Sequence, residues 1–128
     1  AADQQATLGD ELPAIRAEIA AVIILKLGTV KVCNEVKASK RESVLTNQLI
    51  RSGTSIGANI REAFYAHSRA DFIAKLHIAL KECAESEYWL ELLIEGGYSA
   101  DKAVLERCSE LKRLLIASLN TAKGKQQP

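Results

Sequence analysis

The chain has 128 residues, of which 48% are hydrophobic and 26% charged, with 17 basic residues against 16 acidic ones. That length suits one domain with a core of its own, and that composition excludes a disordered chain. A net charge of +1 lacks the basic excess of a dedicated nucleic-acid binder.

The first ten residues are small and polar and are expected to fray. A first helix is predicted over roughly 11–36, with Asp10 as its cap and Pro13 in its first turn, where a missing N–H costs little. Leu12, Ile15, Ile19, Val22, Ile23, Val30 and Cys33 follow helical spacing. From Ile19 to Leu25 every face is apolar, whereas a surface helix keeps a polar stripe. The helix is therefore expected to bury two faces, one in its own fold and one against another subunit. Ile19, Val22, Ile23 and Ile24 are the candidate oligomer contacts. The run is far shorter than the roughly 20 residues of a membrane span. The opening residues also lack the pattern of a secretory signal, so no membrane partner and a cytoplasmic location are expected.

Lys37 to Arg41 reads as a charged break, followed by a second helix over roughly 43–66. Its inward positions are predicted to be Leu45, Gln48, Leu49, Ser52, Ser55, Ile56, Asn59, Ile60 and Ala63. Gly53 and Gly57 each weaken the helix by roughly 1 kcal/mol, so the segment must gain from close packing with a neighbour. Ser68 and Asp71 have capping-box spacing and open a third helix over 69–95, which Gly96-Gly97 stops. Its inward series is Phe72, Ile73, Leu76, Ala79, Leu80, Cys83, Glu87, Leu90 and Ile94. A fourth helix over roughly 100–119 carries Val104, Leu105, Cys108, Leu111, Leu115, Ser118 and Leu119 inward. The polar tail from Thr121 to Pro128 is expected to be disordered. Four helices joined by short turns predict an all-α, antiparallel up-down-up-down four-helix bundle, one domain over 1–128.

Chemical motifs are tested and fail. A carboxylate di-metal bundle needs Glu-x-x-His elements, but Phe64 and Ala74 stand three residues before His67 and His77. The three cysteines, Cys33, Cys83 and Cys108, form no closely spaced pair, which argues against zinc and fits free thiols in a reducing compartment. Gly53-Thr-Ser-Ile-Gly57 lacks the Gly-Lys-Ser/Thr ending of a phosphate loop and lies within a helical pattern. No catalytic residue, metal, cofactor or small-molecule substrate is therefore assigned. Charge is uneven along the chain: residues 31–70 hold seven bases against three acids, and residues 71–100 six acids against two bases. Adjacent rings at Tyr88-Trp89 cannot both face one core, so Trp89 is a further candidate contact for an oligomer.

Gln48–Ala63 (QLIRSGTSIGANIREA), Ser68–Phe72 (SRADF) and Lys75–Leu93 (KLHIALKECAESEYWLELL) together resemble the signature of the bacterial 23S rRNA intervening-sequence protein family. The resemblance covers about residues 45–97, and the first helix matches only as an apolar helix. It implies a four-helix bundle that assembles as a homo-oligomeric ring, often a pentamer, with no assigned catalytic residue. It also implies an association with RNA, since some members are encoded within insertions in 23S ribosomal RNA genes. Distantly similar bundles that accompany reverse transcriptases bind nucleic acid through a basic surface. The expected function is therefore a non-enzymatic ring-forming protein whose partners are itself and ribosomal RNA or a ribonucleoprotein. Lys40, Arg41, Arg51, Arg61 and Arg69 are the candidate phosphate contacts, with Arg51 and Arg69 expected near solvent. The alternative is a structural or adaptor oligomer that binds a protein partner without nucleic acid.

Overall fold

The computed structural model describes residues 28–99 and 101–126. Ile19, Val22, Ile23 and Ile24, with most of the predicted first helix, lie outside the described residues. The described chain is all-α, with four helices and no strand: α1 over 28–40, α2 Val44–Phe64, α3 Arg69–Glu95 and α4 Lys102–Gln126.

In α1, Thr29, Val32, Cys33 and Val36 are buried at the spacing of one helix face. The helix continues four residues past its predicted end. Lys37 and Lys40 are good helix formers and favour a C-terminus, where carbonyl dipoles point outward. What stops the helix is Arg41, which adopts φ 55°. That left-handed conformation is usual for Gly and costs another residue roughly 1 kcal/mol.

Ser43 holds the N-cap position of α2, but its side chain makes no capping bond. Glu42 caps the helix instead. Its Oε1 accepts from the Leu45 N–H at 2.6 Å and its Oε2 from the Thr46 N–H at 3.0 Å. Burial alone would raise the Glu42 carboxyl, but these N–H bonds outweigh it and hold the group below its ordinary value. At the other end, Tyr65 and Ala66 donate to Glu62 O and Ala63 O, tightening the last turn and ending α2 two residues early. Along its length Thr46, Leu49, Ser52, Gly53, Ile56, Ile60 and Ala63 are buried, while Gln48, expected inward, is exposed. Gly53 shows where the small-residue seam lies. A Cβ there would meet Thr29 Cγ2 at 3.0 Å, so α1 approaches α2 closely enough that a larger residue would press on the Thr29 side chain.

The predicted start and stop of α3 are both present. Ser68 Oγ accepts from the Asp71 N–H at 3.1 Å. After Gly96, Gly97 takes φ 79°, the Tyr98 N–H reaches back to Leu93 O at 2.8 Å and the Gly97 N–H to Ile94 O at 3.1 Å. Those two bonds are the Schellman arrangement, which satisfies carbonyls that the helix leaves open. Asp101 Oδ1 then caps α4 through the Ala103 and Val104 N–H groups.

The fourth helix runs to Gln126, so the expectation of disorder from Thr121 onward is corrected for residues 121–126. Its buried stripe of Val104, Cys108, Leu111, Leu115 and Leu119 continues into Ala122, which is also fully buried. A polar composition does not end a helix whose next inward residue still finds the core.

Phe72, Leu49, Ile56, Leu76, Leu90, Leu93, Leu111 and Leu115 are the largest fully buried side chains. Each contributes roughly 1.5–3 kcal/mol by leaving water. Contacts between helices run in opposite senses. Ser52 of α2 meets Ser86 of α3, and Glu62 meets Lys75. Glu87 of α3 meets Ser109 and Lys112 of α4, and Arg69 meets Ala122. No helix among the described residues is long and apolar enough to cross a membrane.

Candidate functional site

The five predicted phosphate contacts are not gathered into one patch. Lys40 and Arg41 are exposed at the α1–α2 connection. Arg61 is exposed in the last turn of α2, and Arg69 opens α3. The 21 residues of α2 separate the two pairs by about 30 Å. Arg69 also departs from its expected place near solvent, being only 8% exposed. Its stem lies against the interior and its Nη1 donates to Ala122 O at 3.3 Å, so it fastens α3 to α4.

Arg51 lies midway along α2 and is engaged by acids of α3. Its Nη2 is 2.5 Å from Glu85 Oε1, and its Nη1 is 3.4 Å from Glu82 Oε2. The hydrogen bond to Glu85 raises Arg51 above its ordinary value, and the same bond holds Glu85 below its own. Glu85 Oε1 also accepts from Trp89 Nε1 at 3.2 Å. Trp89 is half-buried against the core, with Tyr88 set edge-on at 5.1 Å between ring centroids. One guanidinium thus stands among two carboxylates and an indole N–H, an arrangement suited to holding α2 on α3.

A second feature lies on the outward face of α3. Ala70, Ala74, Ile78, Lys81, Ala84 and Tyr88 are exposed at helical spacing, followed by Glu91 and Glu95. Its first part is nearly free of charge, and Tyr88 is 53% exposed. Sequence reasoning missed this face. The signal was available, because positions left over from an inward series are normally charged, and here three are alanine and one isoleucine.

The α2–α3 turn combines a different set of groups. Arg61, Phe64, Tyr65 and His67 are all exposed there, and Tyr65 is 84% exposed. His67 Nδ1 is 3.5 Å from Asp71 Oδ2. Lys123 is exposed on the part of α4 that Arg69 reaches. Cations and aromatic rings at one turn can meet phosphate and stack on bases.

Glu87 is the most enclosed ion-paired acid at the α3–α4 seam. It accepts from Lys112 Nζ at 2.6 Å and from Ser109 Oγ at 2.7 Å. Burial would raise its carboxyl, but Lys112 and Ser109 together hold it below its ordinary value. Among the described residues no three His, Cys, Asp or Glu side chains come together as a metal-binding set.

A family model described as 23S rRNA-intervening sequence protein matches residues 23–117. A crystal structure of a protein of unknown function from the S23 ribosomal protein family of Bacteroides thetaiotaomicron VPI-5482 is also similar, with 41% sequence identity and a TM-score of 0.80. That similarity covers 84% of this chain and 98% of the other. No curated protein matches the chain.

Proposed function

Because the chain belongs to the 23S rRNA-intervening sequence protein family, we propose that it is a non-enzymatic, ring-forming protein that contacts RNA or a ribonucleoprotein. The structural relative is itself described as having unknown function, so membership supplies a fold and no mechanism. The observation that carries the proposal is the outward face of α3, where Ala70, Ala74, Ile78, Ala84 and Tyr88 form a strip over 70–88 whose one charged member is Lys81, far fewer charges than keep a monomer's surface wet. Small residues let a second helix approach closely, and Tyr88 supplies the kind of ring that dominates binding hot spots.

The opposite run of contacts along α2–α3 and α3–α4 supports the reading as an antiparallel up-down-up-down bundle. In such a bundle one whole α3 face remains for a neighbouring subunit. We assign the RNA contact to the α2–α3 turn, with Arg61 and Lys123 as phosphate donors and Tyr65 as a stacking surface. Lys40 and Arg41 would form a separate contact. Free thiols at Cys33, Cys83 and Cys108 accord with a cytoplasmic location.

Light scattering of the purified chain tests the assembly. A closed ring, a pentamer by family resemblance, is expected, and Ile78→Glu with Tyr88→Glu is expected to shift it to monomer. A wild-type monomer would end the ring reading. Binding to a 23S ribosomal RNA fragment should weaken as salt rises, through counterion release. No binding even at low salt would end the RNA half.

The second reading is an adaptor oligomer that binds a protein partner. It is favoured by Glu91 and Glu95 on the same face as Tyr88, which repel phosphate. A partner captured equally well after nuclease treatment would support it.

A further inference from the structure

The sulfur pair between α3 and α4 has no part in that function. Cys83 and Cys108 are both fully buried, with their Sγ atoms 3.7 Å apart. Each thiol donates to the other's main chain: Cys83 Sγ to Cys108 O at 3.3 Å, and Cys108 Sγ to Cys83 O at 3.4 Å. Both side chains already reach across the seam to the opposite backbone. A disulfide needs the sulfurs at about 2.05 Å, so from 3.7 Å the pair has roughly 1.6 Å left to close.

We propose that Cys83 and Cys108 form a dithiol modification site, which hydrogen peroxide oxidises to a disulfide joining α3 to α4 while Cys33 remains a thiol. One sulfur attacks the peroxide, the O–O bond breaks, and a sulfenic acid forms at that sulfur. The other peroxide oxygen leaves as water with the thiol's proton. The second sulfur then attacks the sulfenic sulfur. The S–O bond breaks, the S–S bond forms, and the hydroxyl leaves as water with the second thiol's proton. Two thiols have given up two electrons and two protons, and the peroxide has become two waters.

Cys33 is set apart by geometry. Its Sγ donates to Thr46 O at 3.6 Å, and no second sulfur lies within hydrogen-bonding distance among the described residues. The environment of the pair also sets its pace. Hydrogen bonding of the Cys108 thiol with Cys83, which favours its protonated form, and then burial push that thiol up, so little of the reactive thiolate is present. Oxidation therefore waits on local opening of the seam and is slow. Reduction meets the same barrier, so the disulfide persists once formed.

The test is to incubate the reduced full chain with hydrogen peroxide, denature it, alkylate it with N-ethylmaleimide and measure its mass. The expected product is a single chain that has lost two hydrogens and takes one alkyl group, which peptide mapping places on Cys33. Cys33→Ser should form the same cross-link, while Cys83→Ser should form none. The oxidised protein should melt about 5–10 °C higher, because the bond restrains the unfolded chain. Three alkylatable thiols after prolonged exposure would overturn the proposal. So would sulfinic acid at one cysteine without the internal bond, or a disulfide between chains. The wild-type mass stands as the test even if a serine variant fails to fold.

Discussion

The two seams of α3 are built on the same plan from different atoms. Toward α2, a buried pair of hydroxyls, Ser52 and Ser86, sits 2.7 Å apart, flanked by the Arg51–Glu85 contact at the rim. Toward α4, a buried pair of thiols sits 3.7 Å apart, flanked by the Lys112–Glu87 contact. A hydroxyl bond is short and directional, so it fixes how α2 and α3 slide along each other. Thiols behave as small apolar groups with weak donors, so α4 is placed mainly by the shape of its leucines. The rims differ in the reverse sense. Arg51 is half exposed to water, whereas Glu87 and Lys112 are more enclosed. Midway along the two seams, the more directional contact thus lies in the interior toward α2 and at the rim toward α4, where Arg69 adds a buried bond at the far end.

The largest test breaks the shape-dependent seam. Leu111→Ala should cost about 3 kcal/mol in urea denaturation, since Leu111 is fully buried and leaves a cavity. A cost below about 1 kcal/mol would show that α4 is only loosely seated. Next, Ser86→Ala should cost about 1 kcal/mol, because Ser52 keeps only its bond to Leu49 O. Replacing both serines by alanine should cost less than the two single changes added together. Additivity would remove the hydroxyl pair as the element of register.

A smaller effect distinguishes the rims. Glu87→Gln should cost about 1 kcal/mol at pH 7 by the same denaturation assay. Glu87 is held below its ordinary value when folded, so its contribution is present above the usual carboxylate range and is lost as pH falls through the lowered value. Wild type and Glu87→Gln should therefore converge in acid, and a gap that persists unchanged would contradict the ion-pair account. Smallest of all, Arg51→Gln should leave the urea midpoint nearly unchanged at moderate salt, because water screens that contact. A large loss there would reverse the ranking of the two rims.

Periodicity made the helices legible, and local chemistry made several of their ends legible. Ser68 with Asp71, and Gly96 with Gly97, act within a few residues of themselves, so the sequence shows them directly. Ends that depend on distant packing were less visible. The extension of α4 rests on Ala122 meeting the core and on Arg69, 53 positions earlier, reaching its carbonyl. The burial of Arg69 was missed for the same reason. Arg51 looked like a free cation because the acids that hold it stand 31 and 34 positions away. Thr46 and Gly53 are buried while Gln48 is exposed, because Gly53 lies against Thr29 of α1 and the Thr46 carbonyl accepts from Cys33, contacts made by residues 13 or more positions away. Spacing marked the cysteines as buried, but only the crossing of α3 with α4 brings two of them together.

The reach of Arg69 to Ala122 has a kinetic consequence. A helix near its C-terminus ordinarily frays by itself, and its amides exchange with solvent almost as fast as those of a free peptide. Here a carbonyl in the last stretch of α4 is held by the first residue of α3. Unzipping one requires releasing the other, so the two segments open as a single cooperative unit. Hydrogen exchange should register them together, with the beginning of α3 and the end of α4 sharing one protection factor despite lying half the chain apart.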